Sequence, residues 1–343
     1  MNVKRGAPMK AMVLERYGAD FSFARRELAR PEPGKGEVLI RVAGSSLNPI
    51  DNKIATLGTA LAFAPELPAV PGMDVSGTVE RVGPGVSRFR PGDAVYGCAG
   101  GLGRLPGALA EFMVADERLL APAPQCMDLV DAATLPLVSI TAWLALFERA
   151  RVQAGQRVLV HGGAGGVGHI AVQLAAHAGA EVHATVSGDH KAAVAEALGA
   201  IPIDYRAVGV DEYVAEFTGG RGFDVVFDTV GGANLDNAFQ AAAPGGQVVT
   251  TAARSTHDLS VMHAKGLSLH VVFMLLPLIT GQGRAAYGRI LEEVAGLVDD
   301  DALAVLIDER RFAFADIAEA HRHWAAGDAL GKVSMSAEDV KPA

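Results

Sequence analysis

The chain has 343 residues, enough for two domains, and is 50% hydrophobic and 20% charged, which excludes a disordered polypeptide. Its formal net charge of −9 argues against nucleic acid as the main partner, since phosphate binding needs a basic face. Two cysteines, Cys98 and Cys126, exclude a disulfide framework and a four-cysteine zinc lobe.

Residues 1–8 lack an apolar signal core and read as a loose leader before Met9, so a cytoplasmic protein is expected. Residues 9 to about 125 read as β-rich, with strands Val38–Val42, Val75–Val82 and Ala94–Tyr96 separated by the turns Gly83-Pro84-Gly85 and Pro91-Gly92-Asp93. Helical patterns follow over Asp128–Leu135 and Thr141–Arg149, interrupted around Pro136. Strands then alternate with helices. Val158–His161, Glu181–Val186, Ile201–Asp204, Asp224–Asp228, Gln247–Thr251 and Leu269–Met274 are strands. Val167–Ala178, His190–Leu198, Val210–Phe217 and Leu235–Ala242 are helices. Such alternation predicts a doubly wound parallel sheet. The apolar run Leu267–Thr280 is too short to span a bilayer and contains His270 and Pro277, so no membrane partner is expected. The tail predicts a helix at Leu291–Val298, a strand at Val305–Asp308, a helix at Asp316–Ala326 and a last strand at Lys332–Ser336, placed to rejoin the N-terminal part.

Strand Val158–His161 runs into Gly162-Gly163-Ala164-Gly165-Gly166-Val167-Gly168, and a helix follows. Gly163, Gly165 and Gly168 satisfy the spacing G-x-G-x-x-G. The first glycine permits a tight turn, the second lets a pyrophosphate approach the backbone, and the third lets helix and strand pack closely. The helix N-terminus then offers unpaired N–H groups to phosphates.

With both halves placed, the chain resembles the medium-chain dehydrogenase/reductase superfamily, and within it the zinc-independent quinone oxidoreductases. The likeness runs from Met9 to about Ser336. It is carried by Leu47-Asn48-Pro49-Ile50-Asp51, Pro71-Gly72-Met73-Asp74-Val75-Ser76-Gly77-Thr78-Val79, Gly83–Val86 with Pro91–Gly97, Ala164–Gly168, Asp228-Thr229-Val230-Gly231-Gly232 and Gly331-Lys332-Val333. The resemblance implies an α/β chain: a GroES-like β-rich catalytic domain (residues 9–127, joined by 276–343) with a doubly wound Rossmann domain (128–275) inserted in it. It also implies a homodimer or homotetramer.

Zinc-containing members of the superfamily carry Cys where this chain has Asn48, and Gly-His-Glu where it reads Gly72-Met73-Asp74. Neither a carboxamide nor a thioether is a usual zinc ligand. The histidines show no metal-ligand spacing in the N-terminal part, and His321 and His323 sit two apart on a predicted helix, facing different ways. No metal is expected.

An NAD site usually carries Asp or Glu about 20 residues past the glycine motif, on the ribose 2′-hydroxyl. Here that place holds Ser187, with Asp189, His190 and Lys191 beyond it. A hydroxyl beside a cation suits a 2′-phosphate, whereas an acid would repel it. The resemblance adds that members using NADPH carry Lys at the position of Lys191 and Tyr at that of Tyr205, with Arg206 next to it. NADP is therefore the expected cofactor, and Asp189 is the feature against it. Gly163, Ala164, Gly165, Gly166 and Val167 would hold the pyrophosphate. Thr141, Val230, Thr251 and Lys332 match further cofactor-contacting positions.

Without a metal an alcohol has no Lewis acid to lower its pKa, whereas hydride delivery to an electron-poor carbon needs only donors for the developing oxyanion. A quinone or α,β-unsaturated carbonyl, in the form of a small lipophilic electrophile, fits that requirement. Asn48 and Lys53 are the polar candidates for catalysis. Asn48 reads as orienting the cofactor, donating to the substrate carbonyl, or simply turning the chain before Pro49. Lys53 reads equally as an enolate-stabilising ammonium or a solvated lysine; the pattern Asn-Pro-x-Asp-x-Lys occurs in relatives that reduce alkenals and enones. Asp51 reads as structural. Leu57–Pro65 is a loop-like apolar stretch, either packed on the barrel or walling the substrate. Phe273–Leu276 reads as a dimer contact or a second wall. An enoyl-thioester reductase and a non-catalytic NADPH-binding protein are the competing functions.

Overall fold

The computed structural model describes residues 7–327 and 329–337; most of the leader read at the N-terminus lies outside them. The chain begins with an antiparallel ribbon, β1 (Pro8–Arg16) and β2 (Ser22–Ala29), whose Met9, Ala11 and Val13 pack with Ala110. β3 (Glu37–Leu47) follows, with Val38, Leu39 and Ile40 fully buried. α1 (Pro49–Leu57) leads into a 3-10 turn at Gly58–Ala60, so the stretch read as a loop starts with helical turns. β4 (Asp74–Val82), β5 (Ala94–Cys98), β6 (Phe112–Asp116) and β7 (Leu120–Pro122) complete the β-rich part. β3 pairs antiparallel with both β4 and β6.

α2 (Leu129–Ala132) is capped by Asp128, whose carboxylate accepts the Val130 N–H at 2.8 Å. The helical run breaks at 133–135, around Pro136 as expected, and Pro136 itself starts α3 (Pro136–Trp143). A proline costs nothing in a first helical turn, where its missing N–H has no partner to lose. A π-helical turn, Leu144–Arg149, extends α3. The helical run Leu129–Arg149 is long and apolar enough to cross a membrane by composition, but most of it is buried against the rest of the chain, as in a core helix.

The next elements alternate strictly: β8 (Arg157–His161), α4 (Gly168–His177), β9 (Glu181–Val186), α5 (Asp189–Ala197), β10 (Ile201–Asp204), α6 (Val210–Thr218), β11 (Phe223–Asp228), α7 (Asn234–Ala241), β12 (Ala242–Thr250), α8 (Ser260–Lys265) and β13 (Ser268–Val271). All six strands are parallel, in the order β10-β9-β8-β11-β12-β13. Apolar strands buried on both faces are what a parallel sheet covered by helices requires. Leu159, Val226 and Val248 form its middle, with Phe223 and Phe239 against them. β13 is shorter than its apolar run: it ends at Val271, where its pairing with Thr250 at the end of β12 stops.

In the tail, α9 (Leu276–Thr280) precedes α10 (Arg284–Asp299). α10 starts earlier than expected because Tyr287, Ile290, Leu291, Val294 and Val298 recur at helical spacing on its buried face. The strand expected at Val305–Asp308 is a single bridge, Ile307 to Lys332. β14 (Phe312–Ala313), α11 (Ile317–Ala326) and β15 (Val333–Ser336) follow. β15 lies antiparallel to β3, Val333 opposite Leu47 and Ser336 opposite Gly44, so the tail completes the sheet begun near the N-terminus, in the order β14-β15-β3-β4-β5-β7. The chain forms two compact units. One comprises the described residues up to Leu137 with Leu275–Asp301 and those from Val305 on; the other comprises Val138–Met274 with Ala302–Ala304.

Candidate active site

In the parallel-sheet unit, the glycine-rich segment turns directly off β8. Gly162, at φ +75°, donates its N–H to Thr185 Oγ1 (3.1 Å), and Gly163 donates to the Thr185 carbonyl (3.0 Å). The turn closes with the Gly165 N–H on the Gly162 carbonyl at 2.9 Å, and α4 opens at Gly168. A Cβ at Gly168 would stand 2.0 Å from the Gly162 oxygen, and one at Gly163 would stand 2.4 Å from Ala184 Cβ. Both glycines are thus required by close packing, and Gly165, the exposed one, leaves backbone open to a ligand. Ala164 is buried, and Gly166 and Val167 are half-buried at the mouth of α4.

The strand order reverses between β8 and β11, and ligands of such sheets bind outside the carboxyl ends at that switch point. There the buried Asp228 carboxylate accepts the N–H groups of Val230 and Gly231, each at 3.1 Å, and the Thr250 hydroxyl at 3.1 Å. Asn234 Nδ2 lies 2.9 Å from Asp228 Oδ1 and 2.6 Å from His161 Nδ1. Thr229 Oγ1 donates to the His161 carbonyl at 2.6 Å. Burial alone would raise the Asp228 pKa, but the nearby His161, 3.9 Å away, and the hydrogen bonds from Gly231 and Asn234 outweigh it and bring it down to about 2. A fixed negative charge therefore holds the turn after β11, leaving Val230 exposed, with Thr251 half-buried at the end of β12. Sequence reasoning does not single out His161, Asp228 or Asn234 as site residues; an acid ending an apolar strand, six residues before an asparagine, is the available signal.

The ends of β9 and β10 lie side by side, Val186 opposite Asp204, and the Tyr205 N–H donates to the Val186 carbonyl at 3.3 Å. Ser187 and Lys191 are half-buried, Tyr205 is exposed, and the Arg206 guanidinium lies 5.9 Å from the Tyr205 ring. The two adjacent strand ends thus carry the Ser187 and Tyr205 hydroxyls and the Arg206 cation, and the first turn of α5 adds Lys191. Asp189 is exposed in the first turn of α5. Thr141, on α3, is buried.

The β-rich unit holds a buried polar cluster around Asn48. Asp51 accepts the Asn48 backbone N–H at 2.9 Å and caps α1. The Asn48 carboxamide does not cap: its Nδ2 donates to Asp74 Oδ2 at 2.8 Å, and its Oδ1 accepts from Lys332 Nζ. Lys332 Nζ also donates to the Leu47 carbonyl (3.1 Å) and stands 3.9 Å from Asp74 Oδ2. Asp74 further accepts from Ser46 Oγ (2.8 Å) and the Leu137 N–H (2.9 Å). Asn48 and Asp74 are fully buried and Lys332 is 2% exposed. Burial pushes the Asp51 carboxyl up to about 7 and raises that of Asp74, against the pull of Lys332. It lowers the Lys332 ammonium, against the pull of Asp74 and Asp51. Lys53 is exposed on α1, away from this cluster's hydrogen bonds.

These residues do not fit a zinc ion. Both ends of the Asn48 carboxamide are taken, Met73 offers only a buried thioether, and the Lys332 ammonium is itself a cation beside Asp74. The Cys98 thiol is buried and its pKa pushed well up by burial. Among the described residues, no three or more His, Cys, Asp or Glu are grouped to hold a metal.

Two family models match the chain: an alcohol dehydrogenase GroES-like domain over residues 34–125 and a zinc-binding dehydrogenase model over residues 166–293. Among curated proteins it is 37% identical to the NADPH-dependent alkenal/one oxidoreductase of Arabidopsis thaliana, over 70% of this chain and 62% of that protein. It is 31% identical to the quinone oxidoreductase of Rattus norvegicus, over 72% of this chain and 74% of that protein. The matched region spans less than two thirds of the plant relatives (61% of the 2-methylene-furan-3-one reductase of Solanum lycopersicum) and about a tenth of two Streptomyces polyketide synthase proteins. Among solved structures, an alcohol dehydrogenase superfamily protein from Novosphingobium aromaticivorans superposes with a TM-score of 0.92 at 42% identity, covering 96% of this chain and 100% of that one. With that likeness across the full length of a solved structure, the chain belongs to the medium-chain dehydrogenase/reductase superfamily, that of the alcohol dehydrogenases.

Proposed function

We propose that this protein is a zinc-independent, NADPH-dependent reductase of a quinone or an α,β-unsaturated carbonyl. The observation that carries the reading is the pairing of the glycine turn at the switch point with Ser187, Tyr205 and Arg206 on adjacent strand ends and Lys191 in the first turn of α5, where an NAD site would carry an acid. The relatives named for alkenal, enone and quinone reduction supply the reaction class.

Gly163, Ala164, Gly165, Gly166 and Val167 would hold the pyrophosphate on the N-terminal turn of α4. Ser187, Lys191 and Tyr205 would hold the 2′-phosphate by charge-assisted hydrogen bonds. Thr141, Val230 and Thr251 complete the cofactor set, with the Val230 turn held rigid by Asp228. When bound, NADPH supplies the hydride. The protein's part is to orient the acceptor and stabilise the oxygen that gains charge. We assign that stabilisation to the exposed ammonium of Lys53, and we assign Asn48 the ordering of the segment entering α1, through Asp74, Asp51 and Lys332. Lys332, the further cofactor-contacting candidate, holds the same segment through the Leu47 carbonyl and Asn48. A small lipophilic electrophile is the substrate; neither nucleic acid nor a membrane is a partner. Val271, exposed on the edge strand β13, and the exposed Phe273 just beyond it support a homodimer or homotetramer, and we place the protein in the cytoplasm.

The test is NADPH consumption in metal-free buffer with EDTA against 1,4-benzoquinone, 9,10-phenanthrenequinone, an alkenal and a simple aldehyde, with NADH in parallel. Turnover of a quinone or alkenal with NADPH preferred is expected. NADH preference, or aldehyde turnover that chelation abolishes, overturns the reading.

A further inference from the structure

The loop between β12 and α8, which begins just past Thr251, carries a second set of reactive groups. His257 Nδ1 lies 2.8 Å from the Asp236 carboxylate of α7, and Ser255 Oγ lies 2.5 Å from His257 Nε2. A carboxylate only accepts, so Nδ1 carries the imidazole proton and Nε2 is left to accept from the Ser255 hydroxyl. The imidazole is packed edge-on against Phe239, ring centroids 6.2 Å apart, with its side chain 8% exposed, while Ser255 is exposed. An accessible hydroxyl thus faces a base that is held from behind by an acid and from the side by an aromatic ring. That is the role pattern of an activated serine, recognised by geometry and not by chain order. Ser255 and Thr256 are exposed, and among the described residues their backbone N–H groups make no backbone–backbone hydrogen bond.

We propose that Ser255, His257 and Asp236 form an acyl-transfer site that hydrolyses small activated carboxylic esters. Ser255 Oγ bonds to the acyl carbon while the bond from that carbon to the leaving oxygen breaks. The serine proton passes to His257 Nε2 and from there to the leaving group. Water then attacks the acyl-serine, with His257 again as base, releasing the carboxylic acid and restoring Ser255. No oxidant or reductant is consumed, so the activity is independent of hydride transfer and of the reading given above.

The experiment uses the full-length protein with p-nitrophenyl acetate. Quenched early and digested, the wild type is expected to carry one acetyl group on the peptide containing Ser255. Hydrolysis is expected to fall at least about tenfold in Ser255→Ala and in Asp236→Asn, each checked for an unchanged circular dichroism spectrum. Asp236→Glu is expected to restore part of the rate, which loss of a merely structural contact would not predict. Absence of the acetyl group from Ser255, or wild-type hydrolysis by Ser255→Ala, overturns the proposal.

Discussion

The ammonium of Lys332, from the start of the last strand, donates to the side-chain carbonyl of Asn48, 284 residues earlier in the chain. The same carboxamide donates to Asp74, so one asparagine is held between a cation and an anion, all three buried. The pairing of β15 with β3 brings this about, by setting Val333 opposite Leu47.

Removing the cation leaves Asp74 and Asp51 buried without it. Lys332→Met keeps most of the stem but is expected to cost about 3–5 kcal/mol, the range for breaking a buried ion pair on one side. Urea denaturation measures it. Adding Asp74→Asn to Lys332→Met should recover part of the loss, because the uncompensated charge goes with it; a double variant less stable than Lys332→Met alone speaks against the pairing.

Two buried groups tilt the pH dependence of stability in opposite directions. Asp51 titrates at about 7 in the fold against 3.8 unperturbed, so its contribution is complete below about pH 4 and is lost as pH rises through 7. His321, packed against the rings of Phe21 and Phe23, is lowered by burial to about 4 against 6.5. Its contribution is present above pH 6.5 and is lost as pH falls through 4. Relative to the wild type, Asp51→Asn should gain stability as pH rises from 4 to 7, and His321→Gln should gain it as pH falls from 6.5 to 4. Each slope is at most about 1.4 kcal/mol per pH unit, the linkage limit for one proton. Denaturant midpoints across this range check both signs.

The glycine turn leaves no room for a methyl group at two places. Gly168→Ala sets a Cβ against the Gly162 oxygen, and Gly163→Ala sets one against Ala184. Each is expected to destabilise by about 1–3 kcal/mol through overpacking and to weaken NADPH binding together with stability. Gly165→Ala meets only the Gly162 oxygen, at 3.1 Å, and should cost less stability than Gly168→Ala. Thermal unfolding with and without NADPH separates the two effects.

Lys191→Ala should weaken NADPH binding about tenfold to hundredfold, as expected for one hydrogen bond to a charged group, and leave NADH nearly unchanged. Equal weakening of both in fluorescence titrations removes Lys191 from the 2′-phosphate.

Lys53→Ala should lower turnover of an enone by about tenfold or more while leaving the KM for NADPH unchanged, if the proposed role holds and its charge meets the acceptor's oxygen and not the cofactor. Unchanged kinetics would make Lys53 a solvated surface lysine.

Much of this was legible without a structure, because it is local. Short apolar runs bounded by turn residues and alternating with helical segments mark the strands and helices from β8 to α7, and Gly163, Gly165 and Gly168 sit where a strand turns into a helix. Strand-end residues such as Ser187 and Tyr205 follow directly from that register. Short strands in the tail were less legible: Val305–Asp308 has strand composition, but only Ile307 finds a bridge partner. What chain order could not show is which distant polar groups share a burial site. Asp74 drew notice for the zinc ligands missing around it, and Lys332 for a cofactor contact. Only the folding of the tail onto β3 places the two beside Asn48, 3.9 Å from one another. The His161–Asn234–Asp228 network likewise exists only because β8 and β11, far apart in sequence, are neighbours in the sheet. Hydrophobic periodicity is written residue by residue, whereas a buried charge is stable only where the tertiary fold supplies its partner.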